Sequence, residues 1–277
     1  MLTPTTLPVA AAGFCARCDA MHRLWRTPEA EHHAHALLHA IDEHGRFDFV
    51  EPTVNARFSL DNVYASRTSG GKMLGVLLCS DGTILRAFSG MLGGTWHCPG
   101  WAGPTATVTL EEAGPSARFQ TIVDHVAAAR DPKLGDVVRA RHRNMHRALS
   151  LELSAELASA VLLRSPRRRQ GTRLPELLPP PSADGSTKRL PGGVGECAAP
   201  KLLNAAYERG LHPTGLAEIW HEAPAARVRG DHDDVWTTRT RKNKKRDRRR
   251  RRHGSFHAAC DERCAPILGH MLCDVDD

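Results

Sequence analysis

Aromatic side chains are scarce: Phe, Trp and Tyr make up 5% of the 277 residues. With a hydrophobic content of 41%, that composition supports a folded core with long polar insertions around it. No stretch approaches the roughly 20 consecutive apolar residues that a membrane-crossing helix needs, which argues against such a span. The segment Met1 to Gly13 is mildly apolar but has no basic region ahead of it, so no secretory leader is expected. Acidic charge is in deficit: 31 Asp and Glu against 38 Lys and Arg leave a formal charge of +7, which favours an acidic partner, nucleic acid first. Eight cysteines are too few for a disulfide scaffold at this length. They read as reduced thiols and candidate metal ligands in a reducing intracellular compartment, the cytoplasm ahead of the nucleus or an organelle.

What the sequence does have is cysteine placed ahead of helical patterns. Cys197 lies in Gly-Glu-Cys-Ala-Ala-Pro-Lys-Leu-Leu (195–203), and Cys260 and Cys264 lie in Ala-Cys-Asp-Glu-Arg-Cys-Ala-Pro-Ile-Leu (259–268). A helix start offers free N–H groups and a positive dipole end, which favour thiolate over thiol. Three such thiolates can hold one zinc ion with its fourth position open, and His257 is a candidate to close it. Cys15 and Cys18 form a Cys-x-x-Cys pair with no partner pair nearby. His22, His32 and His33 are the residues that would complete a site there, and the expectation is that no metal binds. Cys79 is expected in a strand core. Cys98 follows His97 in a loop, with no orienting acid to make a nucleophilic pair.

The organisation predicted is a flexible tail over residues 1–26 and a single α/β domain over 27–277, with insertions at about 105–194 and 222–254. Thr27-Pro28-Glu29 starts a helix that continues to residue 44 with Ala34, Leu37, Leu38 and Ile41 at helical spacing. The apolar run Met73–Cys79, the turn Ser80-Asp81-Gly82 and Thr83–Phe88 predict a β-hairpin. A Gly-, Trp- and Pro-rich loop covers 90–104. Helices are expected over 116–130 and 133–164, the second with Arg139, Arg141, Arg143 and Arg147 on its first half. Residues 165–194, with Arg167–Arg169 and several prolines, read as a linker. A helix over 198–209, a strand over 215–221 and a closing helix over 264–273 complete the pattern. Between them, Lys242, Lys244, Lys245, Arg246 and the unbroken Arg248, Arg249, Arg250, Arg251 and Arg252 form a run that cannot bury surface and suits phosphate contacts. Trp236 and Trp220 are candidates to stack on bases, with a core role the plainer reading of Trp220.

The order hairpin, insertion, cysteine-led helix, strand, cysteine-led helix resembles a deaminase-like α/β sandwich, a small sheet with helices. A zinc deaminase carries a proton-shuttling glutamate two residues after its first ligand; that position here is Ala199. The stretches Gly71–Leu77, Ala87–Gly90, Pro99–Trp101, 195–203, Leu216–Trp220 and 259–268 together resemble the N-terminal accessory region of long Rlu-type RNA pseudouridine synthases, across residues 45–272. The resemblance implies an association with ribosomal or transfer RNA and a synthase domain. That domain's Arg-Leu-Asp motif has no match: His22-Arg23-Leu24 is followed by Trp25, and the residues before Arg67-Thr68-Ser69-Gly70 place Ala65 where the aspartate would stand. The expectation is an RNA-associated accessory module, non-catalytic by itself, with zinc as its metal and a separate synthase domain as partner. The alternatives are a zinc-dependent nucleobase deaminase-like hydrolase and the truncated product of a synthase gene.

Overall fold

A computed structural model describes residues 7–65, 70–107, 115–177, 192–224 and 251–275. The chain is mixed α/β. Its centre is a four-stranded antiparallel sheet of β3 (Gly71–Cys79), β4 (Ile84–Phe88), β7 (Pro213–Glu222) and β8 (Phe256–His257), in the order β4-β3-β7-β8. The β3–β4 hairpin forms as its pattern predicts: Asp81 accepts from the backbone N–H and hydroxyl of Thr83, and Gly82 takes the left-handed conformation (φ 85°) that closes the turn. β3 then pairs along its whole length with β7, so both central strands are buried on both faces; β3 reads as a nearly continuous apolar run, whereas β7 also buries Glu218, His221 and Glu222.

Two separate cores lie on the two faces of the sheet. One face carries α1 (Pro28–His44), capped by the Thr27 hydroxyl, which accepts from the Ala30 N–H; Ala30, Ala34, Leu37, Leu38 and Ile41 turn inward against Leu74, Val76, Ala217 and Ile219. The other carries α5 (Ala198–Glu208) and α6 (Ala265–Met271), whose Leu202, Leu203, Ile267, Leu268 and Met271 meet Leu77 and Leu216. Gly75 sets the depth of α5: a Cβ there would come within 2.7 Å of Leu202 and 3.0 Å of Ala198, so only hydrogen lets the helix start sit this low on the sheet.

Three segments depart from expectation. Part of the presumed flexible tail is a β-hairpin, β1 (Val9–Cys15) with β2 (Ala20–Trp25). Its alternation is masked by small residues, but Ala10, Ala11 and Leu24 bury in the α6-side core. The second long helix, α4 (Asp136–Ala160), stops short of 164 because Val161 is extended and Leu162–Ser165 begins β5. The expected linker continues this hairpin as β6 (Arg168–Arg173): its arginines face solvent while Leu163, Ser165 and Thr172 point inward. α3 (Pro115–Arg130) pairs with α4; a short helix, α2 (Leu60–Val63), follows α1. Among the described residues, no helix is long and apolar enough to cross a membrane.

The β1–β2 hairpin is seated on α6 by two glycines. A side chain on Gly13 would collide with the backbone of Leu268 and Gly269, and one on Gly269 with the Phe14 carbonyl. Gly269→Ala is therefore expected to destabilise the chain by about 1–3 kcal/mol, read as a lower denaturant midpoint. An unchanged midpoint would show that the strand and helix do not meet here.

Candidate metal centre

The sulfurs of Cys197, Cys260 and Cys264 all lie within 4.8 Å of one another. Three different local structures bring them there. Cys197 is the N-cap of α5, with an extended backbone (φ −78°, ψ 167°) and no side-chain capping bond, so its sulfur is free to face across to α6. Cys260 is fixed by its neighbour: the Ala259 N–H donates to the Ala10 carbonyl of β1 at 2.7 Å. Cys264 follows one tight turn later, with the N–H groups of Cys264 and Ala265 both donating to the Cys260 carbonyl, which sets the two sulfurs 3.5 Å apart. The spacing of three intervening residues is thus one turn that points both sulfurs the same way.

Packed together, the three thiols share their protons unequally. Hydrogen bonds from Cys197 and Cys264 hold Cys260 far below the ordinary thiol range. Sharing with Cys260 pushes Cys197 up to about 12, and sharing with Cys197 and then Cys260 raises Cys264 strongly, with burial adding to both. The helix starts alone do not make three thiolates: the arrangement favours charge on Cys260 over its two neighbours, and a cation would have to displace the remaining protons.

A carboxylate that sequence reasoning missed lies beside the cluster. Glu218, buried on β7, accepts from the Ala199 N–H at 2.9 Å, so it occupies the start of α5 from the strand below. Burial raises it to about 7, and the charge of Cys260 adds to the effect. The shuttle position is alanine in sequence, yet a carboxyl group reaches that backbone from another element. A glutamate in an apolar strand was the available signal.

A second buried ionic group adjoins Cys197. Glu196 Oε1 accepts from the Thr105 N–H, the Thr105 hydroxyl and the Ala106 N–H, at 2.9–3.1 Å. Its Oε2 has no hydrogen bond; it makes a charge contact of 3.4 Å with Lys201, whose fully buried ammonium donates to the Gly90 carbonyl and lies over the rings of Phe88 and Trp96. Glu196 therefore locks a loop to the helix start and does not face the sulfurs as a shuttle.

No protein-family model, curated protein or solved structure matches this chain. Cys and His groups are positioned where a metal ion could bind, at this cluster and at a second one. His257 is not among the converging donors; its Nε2 lies 2.8 Å from the Ser255 hydroxyl. Cys79 and Cys98 are buried single thiols, raised by burial to about 11 and about 12, and His97 is exposed, so nothing there resembles a nucleophile. His32 and His33 pack edge-on against each other on α1.

Of the expected phosphate-binding residues, Lys242, Lys244, Lys245, Arg246, Arg248, Arg249 and Arg250 lie outside the described residues, as does Trp236. Arg251 and Arg252 are described. The Arg251 guanidinium sits 4.9 Å over the ring of Trp220, which is buried on β7, and its charge favours the ionised form of Glu218. The Arg252 carbonyl accepts from Ser255. The described end of the basic stretch is thus anchored on the strand that carries Glu218.

Proposed function

We propose that this chain is a zinc-holding, RNA-associated accessory module, similar to the region that precedes the synthase domain in Rlu-type pseudouridine synthases, and non-catalytic by itself. The observation that carries the reading is the convergence of Cys197, Cys260 and Cys264, which come from the two sequence stretches most specific to that resemblance. The donor set fits zinc: three soft sulfurs, two of them half-buried, with one already disposed to be a thiolate. Zinc bound there would tie α5 to α6 and act as a Lewis acid only if its fourth position stayed open. The hairpin, cysteine-led helix, strand and cysteine-led helix follow the deaminase-like order expected of such a region. RNA association is supported by the charge of +7 and by Arg141, Arg143 and Arg147, all exposed on α4.

The test is filter binding of structured RNA over a salt series. Binding is expected to weaken linearly on a log–log scale. Replacing Arg248–Arg252 with glutamine is expected to flatten the slope by roughly 0.9 for each phosphate no longer neutralised. Negligible binding at low salt would remove the RNA reading. Glu218 is the feature that favours a hydrolytic nucleobase enzyme instead. Ammonia release from cytidine or adenosine, abolished by Cys197→Ser, would establish that second reading in place of the first.

A further inference from the structure

A second cluster joins the two ends of the described chain. Cys15 ends β1, Cys18 lies in the turn, His22 is on β2, and Cys273 follows α6. Cys18 Sγ is 3.3 Å from Cys15 Sγ, 3.2 Å from Cys273 Sγ and 3.2 Å from His22 Nε2. All four donor atoms lie within 4.8 Å of one another. We propose that these four residues form a closed structural zinc site that clamps the β1–β2 hairpin to the end of α6.

The donor set is Cys3His, the number and type that complete a tetrahedron and leave no open position. Bonds of about 2.3 Å to sulfur and 2.0–2.1 Å to nitrogen put tetrahedral neighbours about 3.5–3.8 Å apart, so these contacts need only a slight outward adjustment to admit the ion. Zinc would displace the thiol protons to solvent on binding.

The backbone points to the same place independently. Among the described residues, two that are not glycine have a positive φ: Asp19 at 54° and Asp274 at 70°. Each immediately follows a sulfur ligand, Cys18 and Cys273. Left-handed aspartate is tolerated but unfavourable, and such residues collect where a bound group fixes the chain. The Arg17 guanidinium completes the surroundings. It donates to Cys273 Sγ at 2.8 Å and reaches Asp274 at 3.5 Å, while Arg167 also pairs with Asp274. A donor aimed at a ligand sulfur orients it and disperses thiolate charge, as outer-shell partners of metal ligands do. Sequence spacing hid the site because Cys18 and Cys273 are 255 residues apart.

Metal analysis of the full chain, produced with zinc in the medium, tests the site. Cys18→Ser and His22→Ala are each expected to carry about one equivalent of zinc less than the parent chain. His22→Cys, which supplies a thiolate in place of the imidazole, should match the parent. Cys197→Ser reports on the other centre, so either can fail without the other. In Cys197→Ser loaded with cobalt(II), the visible bands of a tetrahedral thiolate site should persist, and adding His22→Ala should abolish them. Parental zinc content in both Cys18→Ser and His22→Ala would overturn the proposal. So would a Cys15–Cys18 disulfide found by mass spectrometry in protein handled without oxygen.

Discussion

Stripping the metal with a chelator is expected to release α6 while leaving the sheet and α1 folded. The magnitudes are closely matched without it. Burying Ile267, Leu268, Met271 and Leu272 stabilises α6 by about 6–12 kcal/mol at the usual 1.5–3 kcal/mol for each large apolar side chain. Ordering residues 265–272, the seven-residue helix and its C-cap, costs about 8–16 kcal/mol of backbone entropy. A helix this short does not persist alone in water. On the proposed reading a bound ion would decide whether α6 stays docked, since structural zinc sites contribute on the order of 10 kcal/mol. Hydrogen exchange of residues 265–272 should accelerate by several orders of magnitude on chelation, while β3 and β7 keep their protection. Equal protection with and without chelator would remove the structural role of the metal.

Glu196→Ala is expected to cost about 3–5 kcal/mol, measured as a fall in unfolding free energy. The substitution takes the carboxylate away from the buried Lys201 ammonium, which keeps its bond to the Gly90 carbonyl and its two ring faces. It also strands three donors of Thr105 and Ala106 that now share Glu196 Oε1. Glu196→Gln keeps an acceptor for those donors and should lose less. Adding Lys201→Met to Glu196→Gln should recover part of the loss, because the uncompensated charge is then gone. A loss under about 1 kcal/mol in Glu196→Ala would mean that the loop finds other partners.

Local signals carried α1, the β3–β4 hairpin, α5 and α6. Thr27-Pro28-Glu29 caps the helix that follows it, and Ser80-Asp81-Gly82 turns where its residues dictate, because each depends on bonds within a few positions. The Cys197, Cys260 and Cys264 cluster was legible because in both segments a cysteine, Cys197 or Cys264, stands just before an apolar helical pattern. What stayed hidden depends on distant partners. Glu218 looks like an isolated polar residue in a strand until the helix start above it is known. Cys15 and Cys18 look like half a site until Cys273 arrives from the far end. Arg167–Arg169 suggested a solvated linker, whereas a turn and outward-facing arginines are equally compatible with β5 and β6.

One short helix carries a member of each proposed metal site at its two extremities, Cys264 entering it and Cys273 just beyond it. On the ribosome it emerges after every other described element. Until then neither cluster is complete, and the α5 side of the sheet lacks the cover of Ile267, Leu268 and Met271. Nascent chains should consequently depend on chaperones, and on cellular zinc supply, until residues 264–273 have left the ribosome, which pulse-chase proteolysis in zinc-starved cells would register as a window of fragility.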